Sequence, residues 1–356
     1  MIFFEPDTVK IFNREQELEE KVSIIKFVES ILNLPGKEVP YLIPTSRKKL
    51  DYRINPAFKE HVRHHADLLS QIKFKADEKY RSEHSDAFYK AYSLIWQWLD
   101  IYPHFLRDPL NQQYFNLEGK VVAKAEIINS FYASLLREIN DKGFKDKLKW
   151  REARARNQYR SAVKFVGKLL QHYSRVVVTR IDVSYHTKFL EEIDLNTIKI
   201  HFSRFLKGLF GRKEFRYVIG YIWKLEYGVE KGYHYHLIVF MDGSKVRNDA
   251  YYAELIGEYW SNNITGGRGY FYNCNRSKHK YKFLGIGMLS HDDTEMIDNL
   301  LICIRYLTKT SQYVMETCLD GKRVRVFGRS ELLPVNPLKT VSVGRPRGKP
   351  SALIIG

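Results

Sequence analysis

The sequence predicts an α+β protein: an antiparallel sheet with helices on one side, preceded by a mainly helical N-terminal domain. Three observations carry that expectation. Residues 1–170 hold apolar side chains at helical spacing. From Ser174 the texture changes to runs of β-branched and aromatic residues. The elements then follow the order β-α-β-β-α-β-β-α, which suits an antiparallel sheet backed by helices. A chain of 356 residues exceeds one typical domain, so the expected organisation is a helical domain at 1–170, an α+β domain at 171–328 and a basic tail at 329–356.

In the first domain, Leu18, Val22, Ile25, Val28 and Leu32 mark a helix over Glu15–Asn33, stopped by Pro35-Gly36. Asn55-Pro56 opens a second helix over 56–80, and Ser85-Asp86 is read as the cap of a third that carries Phe88, Tyr92, Ile95 and Trp98. A fourth is expected over 121–141 and a fifth over Trp150–His172. In the second domain, Arg175–Ser184 reads as a strand, Asp194–Leu209 as a helix, and 216–227 with Tyr233–Met241 as a hairpin. Val246–Asn262 is a helix, 268–274 and 279–286 are short strands, Glu295–Glu316 is a helix and Arg323–Phe327 a last strand. The glycine-rich run Thr265–Gly269 lacks the Gly-Lys-Ser/Thr ending of a phosphate loop and reads as a turn before a strand.

Charge is the strongest bulk signal. The chain carries 58 Lys and Arg against 41 Asp and Glu, a formal net charge of +17, which points to nucleic acid as partner. Its 24 Tyr and 21 Phe among those cations suit single strands, whose bases stack on rings. No run of eighteen apolar residues exists, and the N-terminus lacks the pattern of a secretory signal. Three cysteines, Cys274, Cys303 and Cys318, follow no metal or disulfide spacing, so a reducing, cytoplasmic compartment is expected.

The chemistry concentrates on the hairpin. His234 and His236 sit two apart on one strand, so both imidazoles share a face. If the hairpin closes symmetrically about Glu230, Glu226 lies opposite His234 and Lys224 opposite His236. Two imidazoles and a carboxylate form a divalent-metal set, and residue type alone leaves Mg²⁺, Mn²⁺ and Zn²⁺ open. On the strand Arg175–Ser184, Thr179 and Asp182 alternate faces, so at most one of them points at this site. Far along the chain, Tyr306 and Lys309 lie three apart on a predicted helix. A phenol is a poor nucleophile at neutral pH unless its ionisation is helped, and an adjacent ammonium group helps it. Tyr313 lies two turns beyond Tyr306 on a similar face.

These residues together resemble a known family. His234-Tyr235-His236 is a His-hydrophobic-His motif, and Tyr306-Leu307-Thr308-Lys309 is a downstream Tyr-x-x-Lys motif. The arrangement is similar to the HUH endonucleases, specifically the single-tyrosine rolling-circle replication initiators. The wording around the hairpin, Glu226-Tyr-Gly and then Lys231-Gly-Tyr-His-Tyr-His-Leu-Ile-Val-Phe, looks most like the inovirus gene-2-type (YagK/YfjJ) replication proteins, over about residues 174–315. The resemblance implies an RRM-like endonuclease fold and Mg²⁺ or Mn²⁺ held by His234, His236 and Glu226, with Tyr306 as nucleophile and Lys309 balancing charge. It implies single-stranded origin DNA as substrate, host helicase and polymerase as partners, and the cytoplasm of a bacterial host carrying a phage, prophage or plasmid element. A transposase or relaxase shares the chemistry, and a catalytically silent DNA-binding regulator shares the fold; these alternatives stay open at the level of sequence.

Candidate DNA contacts lie outside that motif set. Lys224 is expected near a substrate phosphate, and Arg268 near DNA from the glycine-rich turn. Arg151 and Arg154 belong to a helix strongly enriched in cations, read either as a phosphate-gripping face or as a solvated one. In the tail, Gly344-Arg345-Pro346 followed by Arg347 resembles a minor-groove arm, with a disordered basic tail as the alternative. His61, His64 and His65 fall at helical spacing and read as an exposed helix face.

Overall fold

The computed structural model describes residues 20, 23–34, 39–42, 52–59, 69, 72, 82–116, 119–228, 231–309 and 324–331. The chain forms two compact units, Met1–Trp150 and Arg151–Gly356.

The first unit is mainly helical. Helix α1 (Glu83–Ile101) starts three residues before the Ser85-Asp86 position read from sequence, because Ser82 is its N-cap. The Ser82 hydroxyl accepts from the Ser85 amide at 3.0 Å and the Ser85 hydroxyl accepts from the Ser82 amide at 2.7 Å, a reciprocal capping box. Helix α2 (Lys124–Asn140) contacts α1. Their shared core is aromatic: Phe27 meets Phe88 edge-on at 5.6 Å, and Phe88 stacks on Tyr92 at 5.3 Å. Buried Asn129 satisfies both backbone groups of Tyr41, on a two-residue strand paired with Arg53–Ile54.

Helix α3 (Lys142–His172) begins eight residues earlier than its sequence periodicity suggests, and the division between the units falls within it. Its last turns bury Ala162, Phe165, Val166, Leu169 and Leu170 against a six-stranded antiparallel sheet. The strands are β1 (Arg175–Tyr185), β2 (Val218–Gly228), β3 (Gly232–Asp242), β4 (Gly269–Asn273), β5 (Gly287–Ser290) and β6 (Phe327–Arg329). Their order is β6-β2-β3-β1-β4, with β5 also pairing β1.

The α+β class holds, but helices cover both faces of this sheet rather than one. On one face Val177, Ile181, Trp223, Tyr235, Leu237 and Val239 pack against helix α4 (Leu195–Gly211) and helix α5 (Asp249–Glu258). On the other, Val176, Val178, Ile222, Ile238 and Phe240 pack against α3 and helix α6 (Thr294–Leu307). A strand buried on both sides has no polar face to show, which is why Leu237–Met241 is an unbroken apolar run.

Three further boundaries differ from expectation, the last strand among them, which runs Phe327–Arg329 rather than Arg323–Phe327. Residues 279–286 are not a strand: a 3₁₀ segment runs through Cys274–Lys280, and the strand comes later, at Gly287–Ser290. Asn273 sets this, because its side chain accepts from the amides of Asn275 and Arg276 and turns the chain. Helix α6 ends at Leu307, where the Thr308 hydroxyl bonds back to the carbonyl of Ile304 at 3.1 Å. Tyr313, the histidines at 61, 64 and 65, and Arg345 and Arg347 lie outside the described residues.

Candidate metal and nucleic-acid site

The hairpin closes as its sequence symmetry indicates. Gly228 pairs with Gly232, Glu226 with His234 and Lys224 with His236. Gly232 takes φ +57°, a conformation open to glycine at little cost, and so delivers the chain into β3 in that register.

Both imidazoles are fixed by their Nδ1 atoms. His234 Nδ1 lies 3.0 Å from the carbonyl of Gly232, so that nitrogen donates and Nε2 is left as an acceptor. His236 Nδ1 lies 2.6 Å from Asp182 Oδ1 on β1, so that nitrogen donates too. The two Nε2 atoms converge on one oxygen: Glu226 Oε2 is 3.8 Å from His234 Nε2 and 3.2 Å from His236 Nε2. Ligand atoms of Glu226, His234 and His236 all lie within 4.8 Å of one another.

These residues fit a divalent cation. Both histidines are buried at 7 % exposure, and Glu226 Oε1 is buried with no hydrogen-bond partner. A buried carboxylate oxygen without a partner is costly, and a metal ion supplies what it lacks. The donor set is nitrogen and oxygen, acceptable to Mg²⁺, Mn²⁺ or Zn²⁺. Asp182 holds a ligand from behind, the recurring carboxylate–histidine pairing of metal sites.

The electrostatics follow from this packing. Burial works to lower the pKa of His236, but Asp182 and Glu226 prevail and raise it to about 9. Burial and the charge of His236 push His234 below the ordinary histidine value. Burial disfavours the Asp182 carboxylate, yet His236 and Arg180 outweigh it and keep it below its usual range.

Alternation on the sheet places His234, His236, Glu226, Lys224 and Asp182 on the face that also carries Ile238 and Phe240, against which α6 packs. Thr179 points to the opposite face and is fully buried. Lys224 is 6 % exposed, beside His236 in register. From Asp182 a line of side chains leads to α6. Arg180 Nε is 3.8 Å from Asp182 Oδ1, and Arg180 Nη1 donates to Cys303 Sγ at 3.3 Å. Tyr306 follows Cys303 by one turn, 47 % exposed, with Lys309 Nζ 5.4 Å from its ring centre. Lys309 keeps that place although it lies past the end of the helix.

Other sequence-derived candidates stand apart from this cluster. Arg268 donates to the carbonyl of Thr265 at 3.4 Å, and its charge acts on Tyr185 and His201, which belong to the other layer. Arg151 and Arg154 are half-buried on α3. Asp182 was legible only as a lone carboxylate in an apolar strand, and Arg180 and Cys303 carried no sequence signal.

Fold and site together define an α+β protein whose central sheet carries, on one face, a His-His-Glu group that could hold a metal ion. Residues 139–330 match the YagK/YfjJ C-terminal domain family, and the chain belongs to it. No curated protein and no solved structure matches. Among the described residues, no helix is long and apolar enough to cross a membrane.

Proposed function

We propose that the protein nicks and rejoins single-stranded DNA at a replication origin through a 5′-phosphotyrosine, and so starts rolling-circle replication of a phage, prophage or plasmid element. The observation that carries this reading is the convergence of His234 Nε2, His236 Nε2 and Glu226 on the sheet face that α6, the helix bearing exposed Tyr306, packs against. Family membership is consistent with a prophage-type nuclease. The net charge of +17 suits a polyanionic substrate.

A divalent ion, Mg²⁺ or Mn²⁺, would be held by His234, His236 and Glu226, and when bound it polarises a non-bridging phosphate oxygen. Asp182 keeps the His236 proton on Nδ1. Tyr306 attacks phosphorus in line; the bond from phosphorus to the 3′ oxygen breaks, leaving a 3′-OH and a phosphotyrosyl bond. Lys309, over the Tyr306 ring, balances charge as the phenol loses its proton. The 3′-OH primes host polymerase behind a helicase. Attack by a 3′-OH on the phosphotyrosine reverses the step and rejoins the strand.

The test mixes full-length protein, Mn²⁺ and an oligonucleotide spanning the element's origin, then looks for a covalent adduct on a denaturing gel. An adduct abolished by Tyr306→Phe is the expected result. An adduct that survives Tyr306→Phe and is lost in Tyr313→Phe would move the nucleophile. No adduct with any origin strand, alongside tight duplex binding, would replace the nuclease by a DNA-binding regulator.

A further inference from the structure

The edge strand β4 places an exposed aromatic ring beside the cation site. Tyr270 and Tyr272 pair with Ser184 and Asp182 of β1, so both point to the same face as His234 and His236. Asp182 also pairs with His236, and Tyr272 therefore lies in one row with Asp182, His236 and Lys224. That ring is half-buried under Lys280, whose Nζ is 5.9 Å from its centre and 3.5 Å from its hydroxyl. Tyr270 lies one row further toward the turn of the hairpin, where Ser184 follows Val183 and His234 precedes Tyr235. It is 46 % exposed, and its ring is met edge-on by exposed His186 at 5.7 Å. Two strand spacings, about 10 Å, separate its backbone from that of His234.

A tyrosine at such a position leaves nearly half of its surface in water. Two exposed lysines stand on adjoining residues: Lys188 is two residues from His186, whose ring meets Tyr270, and Lys280 lies over Tyr272; neither has a carboxylate partner among the described residues. By contrast Arg276 and Lys278, a few residues away, are paired with Glu254 and Asp249. An exposed ring with cations beside it, one nucleotide's reach from a phosphate-holding site, has the makings of a stacking platform. We propose that the Tyr270 ring stacks on a base of single-stranded DNA whose neighbouring phosphate is held at Glu226, His234 and His236. This rests on the nuclease reading for the identity of the ligand, and is tested through binding rather than cleavage.

The experiment is fluorescence anisotropy of the full-length chain in Mn²⁺, with labelled oligo-dT and with an abasic deoxyribose-phosphate strand of equal length. Tyr270→Ala weakens oligo-dT binding by roughly 5- to 150-fold, the range for one lost base–aromatic stack. Tyr270→Phe retains the affinity, and all three proteins bind the abasic strand alike. Equal oligo-dT affinity for Tyr270→Ala and the parent overturns the proposal, and so does an equal loss on the abasic strand. Adduct formation, followed separately, reports on the nuclease reading. A stacking loss in a protein that forms no adduct supports the platform while removing the nuclease.

Discussion

His236 Nδ1 lies 2.6 Å from Asp182 Oδ1, across the pairing of β3 with β1 and 54 residues away in sequence. This contact decides which nitrogen of His236 is presented to Glu226, so the ring's orientation in the candidate site is set by a residue outside the candidate ligand set. Replacing Asp182 by Asn removes the charge and leaves the ring orientation weakly held. Mn²⁺ affinity, measured by calorimetry, should fall about 10- to 100-fold with the fold intact. Unchanged affinity would mean that Asp182 is only a packing residue.

The metal set itself predicts a stability effect. A ligand that binds only the folded state raises the melting temperature with its concentration. Mn²⁺ should therefore raise the Tm of the parent protein. His234→Ala and Glu226→Ala should each abolish most of that rise, and EDTA should reverse it. A Tm shift that persists in both variants would place the ion elsewhere.

Phe202 of α4 stacks on Tyr235 of β3 with ring centres 3.5 Å apart and planes 3° from parallel. Tyr235 is the residue between the two histidines, on the opposite face of the strand. Truncating Phe202 to Ala leaves a cavity under that strand and should cost about 3–5 kcal/mol in urea unfolding. The same variant should bind Mn²⁺ more weakly, because β3 carries both ligands. A destabilised protein with parental metal affinity would uncouple the two faces.

Asp194 caps α4, accepting from the Thr197 amide at 2.7 Å; the Thr197 side chain first and this amide second hold its carboxyl below the usual value. The folded pKa is the depressed one. The stabilisation is therefore present above the unfolded value, near ~3.9, and is lost as pH falls through the folded one. Asp194→Ala should cost about 1 kcal/mol at neutral pH, and the difference from parent should shrink in acid. A constant difference down to the lowest pH would argue against a charged cap.

The hairpin site was legible because it is local. Period-two alternation put His234 and His236 on one face, and the symmetry of the glycine-flanked turn put Glu226 across from His234. The layering departs from the one-sided arrangement expected, and the signal for it lies in Leu237–Met241, apolar without alternation, the mark of a strand covered on both sides. The strand expected over 279–286 gave way to a turn dictated by the Asn273 side chain, a hydrogen-bonding effect that composition does not show.

The sequence by itself determined the α+β class, the hairpin register and the identity of the three candidate ligands, because each depends on residues a few positions apart and on the two-residue strand period. Only the tertiary structure decided that Asp182 stands behind His236, that Arg180 and Cys303 lead from it to the helix of Tyr306, and that Tyr270 shares the site's face. Those relations depend on strand order and on which helix covers which face. Such choices are set by long-range packing of the whole core, and no local pattern in the chain encodes them.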